Sequence, residues 1–149
     1  MILMTIKNKN IKFLVGDNIQ NILSASPFKI YDDEIIDFLA ELSNALLTKA
    51  KTNSELNLFT YYAFWSRKSN LFRMRNLRND LSNRFGRGLA LHIAPSNVVT
   101  NILFTMAFGL LSGCPSLIRV SPNSVNQIRL VFEIINSLFK RNSFKELEK

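Results

Sequence analysis

From Gly88 onward the chain alternates short apolar runs with helical periodicities, joined by connections of a few residues. Leu89-Ala-Leu-His-Ile-Ala94 carries no charge, as expected of a strand covered on both faces. Pro95-Ser96-Asn97 is a turn with two potential helix caps, and Val98 to Leu111 reads as an apolar helix closed by Ser112-Gly113. Ser116-Leu-Ile-Arg-Val120 is a second short strand. Ser121-Pro122 then starts another helix, a cap followed by proline at the first helical position. Val125, Ile128, Val131, Phe132, Ile135, Leu138 and Phe139 continue it at helical spacing, and the charged tail from Arg141 is expected to fray. Strand, helix, strand, helix with short links requires a parallel sheet and right-handed crossovers. Two parallel strands do not complete a doubly wound sheet, so residues 88–149 read as the start (βαβα) of an α/β domain.

Residues 1–87 have a different grain. Thr5 to Val15 reads as two short strands around a polar turn at Asn8 to Asn10. Asp32 or Asp33 offers a cap for a helix of about 18 residues, carried by Ile35, Phe38, Leu39, Leu42, Ala45 and Leu46. Thr52-Asn-Ser54 ends it and caps the next, whose face is aromatic: Phe59, Tyr62, Ala63 and Trp65. Leu71, Met74, Leu77, Leu81 and Phe85 form a third stripe, ending at Gly86 and Gly88. The expected organisation is an N-terminal hairpin and helical region, 1–87, followed by the partial α/β domain, 88–149.

Composition narrows the class. At 149 residues, 47% hydrophobic and 20% charged, the chain can bury a core and is neither disordered nor disulfide-built. One cysteine, Cys114, excludes an internal disulfide and suits a reducing, cytoplasmic compartment. The longest apolar stretch, Ile102 to Leu111, is too short for a bilayer, which needs roughly 20 residues. The net charge of +8 is local. Arg67, Lys68, Arg73, Arg75, Arg78, Arg84 and Arg87 face the single acid Asp80 and supply +6 of it. Phosphate contact with stacking on Tyr61, Tyr62, Phe64 and Trp65 would make this block a nucleic-acid-binding module. A solvated basic face on an amphipathic helix is the preferred reading, and a nucleic-acid partner is not expected.

Few residues can carry chemistry. There is no GxGxxG, no Walker loop, no HExxH and no Cys/His set for a metal. His92, the only histidine, sits in an apolar strand pattern and reads as structural. Cys114 follows a helix with nothing basic beside it to lower its pKa, so it does not read as a nucleophile. Asn97 lies at the carboxyl end of a parallel strand, where open α/β sheets bind ligands. It is either a helix cap or an amide donor to a developing oxyanion.

The segments Gly88-Leu-Ala-Leu-His-Ile-Ala-Pro-Ser-Asn-Val-Val-Thr-Asn101 and Gly109-Leu-Leu-Ser-Gly-Cys-Pro-Ser-Leu-Ile-Arg-Val-Ser121 resemble the Lux-type acyl-CoA reductases, a branch of the aldehyde dehydrogenase superfamily. Pro95-Ser96-Asn97-Val98-Val99 is similar to the superfamily's Pro-x-Asn-x-Pro. Gly113-Cys114, with Arg119-Val120-Ser121, is similar to its Gly-Asn-x-x-x-x-Lys-Pro-Ser. Trp65-Ser66-Arg67-Lys68-Ser69-Asn70 resembles the reductases' Trp-x-Arg-Lys-x-Asn element. Val99 and Cys114 depart from the pattern. The resemblance implies NADPH as cofactor and an acyl-CoA or acyl-carrier thioester as substrate. It makes Asn97 the oxyanion-hole amide. Ile93 and Ala94 would lie by the nicotinamide end, Arg119 and Ser121 by the adenosine ribose, and Pro95 and Ser96 would be cofactor-binding as well. It further implies that the nucleophilic cysteine and base glutamate lie beyond Lys149, so that this chain alone is inactive. A missing C-terminal half or a homologous subunit is the implied partner. A non-catalytic fragment that docks through an unfinished sheet is the other alternative.

Overall fold

In the computed structural model, Asn8, Lys9, Asp17, Ser82, Lys145, Glu146, Glu148 and Lys149 lie outside the described residues, and Ile6, Lys7, Asn10 and Asn142 are described by their backbone alone. The run Ser116–Val120 forms β4 as its composition requires, and the sheet is built around it. β1 (Ile2–Lys7) and β3 (Ala90–Ile93) flank β4 and run parallel to it, while β2 (Asn10–Val15) pairs antiparallel with β1, giving the order β2-β1-β4-β3. The molecule is thus α/β with a four-stranded mixed sheet. The expected hairpin exists but begins at Ile2 rather than Thr5, and its turn at Asn8 and Lys9 falls outside the described residues. Ile2 and Leu3 point to opposite faces and are both buried, which only an inner strand allows.

Among the described residues, five helices and three 3-10 segments follow a short first helix. α1 (Ile19–Leu23) lies on one sheet face, where Ile19 and Ile22 pack on Ile2, Met4 and Leu117. The opposite face carries the main core. α5 (Asn101–Leu111) packs on β3 and β4, and α6 (Val125–Phe139) on β2. α2 (Asp33–Ala50) crosses behind them, with α3 (Thr60–Trp65) and α4 (Lys68–Asn76) against it. α2 has the expected length because Asp32 accepts from the Glu34 amide at 3.0 Å and Asp33 and Glu34 sit in its first turn, where the dipole favours them. Asn53 caps the 3-10 segment Ser54–Phe59 in the same way.

Two glycines let three segments cross. Phe28 donates to the Gly113 carbonyl at 2.9 Å, and Gly86 donates to the Phe28 carbonyl at 3.0 Å. A Cβ on Gly86 would collide with the Gly113 backbone, and one on Gly113, where φ is +72°, with the Phe28 carbonyl.

Four expectations are corrected. The third stripe does not carry a helix to Phe85: α4 stops at Asn76, and Leu77 and Phe85 are exposed. Asp80 takes a left-handed φ of 57°, which a right-handed helix cannot contain. The strand before Ala94 is not covered on both faces. β3 is an edge, with Leu91 61% and Ile93 70% exposed. α5 starts at Asn101 rather than Val98. A tight turn precedes it, with the amides of Asn101, Ile102 and Leu103 reaching back three residues to Val98, Val99 and Thr100. The tail past Arg141 does not hang free: Phe144 and Leu147 are buried, and Arg141 pairs with Glu41 at 3.0 Å.

Candidate active site

β3 and β4 end side by side. Ile93 is paired with Arg119, and the Ala94 amide donates to the Arg119 carbonyl at 3.1 Å. Each strand then leaves the sheet in a turn, 95–97 from β3 and Ser121-Pro122 from β4. The buried Ser124, in the 3-10 turn Pro122–Ser124, donates its hydroxyl to the Ser96 carbonyl at 3.4 Å and ties the two turns together. Ile93, Ala94, Pro95, Ser96, Asn97, Arg119 and Ser121 are therefore gathered at one end of the sheet.

Their chemistry is that of binding and polarisation. Asn97 is exposed, and its side chain has no hydrogen-bond partner among the described residues. It does not cap α5; Thr100 occupies the cap position without a side-chain bond. Its amide is thus free to donate outward. Arg119 is half-buried, on the same sheet face as Ile93, and no acid among the described residues pairs with it. Pro95 and Ser96 are exposed, Ala94 is buried, and Ser121 is half-buried without a side-chain cap bond. None of the seven is a nucleophile or a base at neutral pH.

Cys114 lies at the other end of β4. Pro115 and the five residues of β4 separate it from Ser121, the strand alone spanning on the order of 16 Å. Its thiol points at the Ser112 carbonyl, 3.7 Å away. It lines a cavity of about 610 Å³ together with Met1, Phe28, Glu34 and Leu110. His92 is half-buried between β3 and α5; burial pushes its pKa below the usual value, and Nε2 has no partner. Among the described residues no group of His, Cys, Asp and Glu could hold a metal ion. No described helix is long and apolar enough to cross a membrane.

The basic block is partly occupied by the protein itself. Lys68 pairs with Asp37 at 2.5 Å and Arg75 with Asp33 at 2.6 Å. Arg67 stacks on Phe64 and Arg78 on Tyr31, with guanidinium carbons 4.0 and 5.0 Å from the ring centres. Tyr62, one of the proposed stacking residues, is fully buried, and burial raises its hydroxyl pKa. Arg84 and Arg87 remain exposed without an ion pair among the described residues.

Residues 27–147 match the family Acyl-CoA reductase (LuxC), about four fifths of the chain. The chain belongs to the LuxC acyl-CoA reductase family. No curated protein and no solved structure matches it. Members of the LuxC family are oxidoreductases that act on an acyl thioester with a nicotinamide cofactor. The match takes in the turns at 95–97 and 121–122, so every candidate residue falls inside the LuxC region.

Two features of the site were missed in the sequence. The Ser124 tie between the turns has no sequence signal, because a serine in a first helical turn reads simply as capping. The bare outer side of β3 did have one: Leu89, Leu91 and Ile93 alternate with Ala90 and His92, the period of a half-covered strand.

Proposed function

We propose that this chain supplies the NADPH-facing wall of a reductase that converts an acyl thioester to a fatty aldehyde, with the reacting thiol supplied by residues outside it. The observation that carries the reading is the unpartnered Asn97 amide at the carboxyl end of parallel strand β3, beside the unpaired Arg119. Residues 88–149 would form the cofactor wall as the beginning of an aldehyde-dehydrogenase-like domain, and 1–87 the hairpin and helices that back it.

The donor set fits the group. Arg119 offers a guanidinium for the 2′-phosphate that distinguishes NADPH from NADH, and Ser121 a hydroxyl for the ribose. Ile93 and Ala94 offer an apolar edge to the nicotinamide, held in place by Pro95 and Ser96. Bound NADPH supplies the hydride for aldehyde formation. Asn97 donates its Nδ2–H to the acyl carbonyl oxygen as negative charge builds there during thiolate attack, and again as the aldehyde forms. Losing such a donor costs about 10² to 10³ in kcat. The attacking cysteine and a base glutamate would come from a C-terminal half or a homologous subunit, since Cys114 lies at the far end of β4. The lone thiol suits a cytoplasmic setting. The acyl group would arrive on coenzyme A or on a carrier protein.

Two measurements test this. The purified 149-residue chain with acyl-CoA and NADPH should form no aldehyde; aldehyde production would sink the claim that the thiol lies elsewhere. Saturation-transfer NMR should detect NADPH more strongly than NADH, and Arg119→Gln should remove that preference. No binding of either nucleotide, or a preference that survives Arg119→Gln, would overturn the assignment of the wall.

A further inference from the structure

The element Trp65-Ser66-Arg67-Lys68-Ser69-Asn70 has no part in the cofactor wall proposed above. It builds the corner between α3 and α4. At six residues, α3 is too short to hold itself together. Side chains take its last carbonyls instead. Ser43 of α2 donates to the Ala63 carbonyl at 2.5 Å, and Asn70 donates its Nδ2–H to the Trp65 carbonyl at 2.6 Å. Arg73 donates to Asn70 Oδ1 at 2.9 Å and keeps that amide in its orientation. The Lys68–Asp37 pair ties the same corner to α2. The corner is therefore fixed, and with it the direction of the Trp65 ring.

That ring meets α5. Trp65 lies edge-on to Phe104 and Phe108, and Tyr62 lies edge-on to Phe104, with ring centres 5.2, 5.3 and 5.2 Å apart. Phe104 stands at the first turn of α5, its amide donating to the Thr100 carbonyl at 3.4 Å. This helix start has no side-chain cap bond of its own. Ile102, Leu103 and Met106 join the main core, but aliphatic packing is non-directional and resists sliding along the helix axis poorly. Edge-on rings prefer one geometry and oppose that slide. The 95–97 turn is held between the start of α5 and the Ser124–Ser96 bond. A shift of α5 along its axis carries Asn97 with it.

We propose that Trp65 is a positioning residue: seated by Asn70 and pressed on Phe104, it sets where α5 begins and so holds the Asn97 amide in place. The proposal rests on the reading of Asn97 as the donor to the acyl oxygen. Precision matters there, since a displacement of about 1 Å can cost on the order of 100-fold in rate.

Amide NMR of the 149-residue chain tests the clamp. Trp65→Ala should move the Asn97 and Asn101 backbone peaks and speed hydrogen exchange at Asn101, Ile102 and Leu103 by about tenfold relative to the rest of the chain. Trp65→Phe, which keeps a ring against Phe104, should restore both. Asn70→Ala should move the same peaks, and it replaces Trp65→Ala if that variant does not fold. Phe139→Leu, a core change in α6 against Phe38, should lower stability and leave these peaks where they are. Unmoved peaks in both Trp65→Ala and Asn70→Ala would overturn the proposal. So would a shift that Trp65→Phe does not restore, or the same shift in Phe139→Leu, which would reduce Trp65 to general stability. These amides report where Asn97 sits whether or not NADPH binds, so failure of the clamp and failure of the cofactor wall are told apart.

Discussion

The Nε2 of His92 is closed off from water against the Gly109 turn of α5, with nothing bonded to it. A neutral ring tolerates this; an imidazolium would carry an unsolvated charge. Its folded pKa therefore lies below the unfolded value of about 6.5, and the unfolded chain binds the extra proton first. Stability from this group is complete above pH 6.5 and is lost as the pH falls through the lower, folded pKa. The urea midpoint should drop across this window in the wild type, and His92→Gln should flatten the dependence. Gly109 is the counterpart of that ring. A Cβ there would stand 2.7 Å from His92 Nε2 and collide with the Ser116 hydroxyl. Gly109→Ala should cost about 1–3 kcal/mol in chemical denaturation. Adding Ser116→Ala should restore part of it, and a wholly additive pair would show that the hydroxyl is not the obstacle.

At the level of elements, legibility followed how much of each signal was local. α2 and β4 carry their own caps, periodicity and flanks, and they appear with the expected bounds. Asp32→Ala should cost about 1 kcal/mol by urea denaturation, because it leaves the Glu34 amide without its partner. Asn97 and Arg119 were singled out by the resemblance alone, and what brings their two turns side by side is the pairing of β3 with β4 and the Ser96–Ser124 bond. α4 was over-extended because Leu77, Leu81 and Phe85 keep a helical spacing, whereas the bonds they would need go elsewhere. The Ile30 amide takes the Arg84 carbonyl at 3.0 Å, and Lys29 bridges to Phe85. Those contacts span more than 50 residues of chain, and no local pattern encodes them. The parallel pairing of β1 with β4 escaped for the same reason: nothing near Ile2 announces Leu117.

Across the whole molecule one hydrophobic cluster runs from Met1 through α2 and α5 to Leu147. Phe38 stacks on Phe139 at 5.2 Å and meets Phe144 edge-on at 5.7 Å, joining the first long helix to the last. Residues on both sides of Gly88 thus share a core and should unfold together. Calorimetry should give a calorimetric enthalpy equal to the van't Hoff enthalpy. Two resolved transitions would show that the helical region and the βαβ region melt separately. Leu39→Ala, at the centre of α2, should lower stability by about 2–5 kcal/mol while keeping a single transition. The chain also carries its own optical reporter. Trp65 is its only tryptophan and lies edge-on to Phe104 and Phe108, with ring centres 5.2 and 5.3 Å away. Both phenylalanines are on α5, the helix that begins just beyond Asn97. Anything that seats at the Asn97 end and shifts α5 will alter the indole's surroundings, so its emission offers a label-free titration of that event.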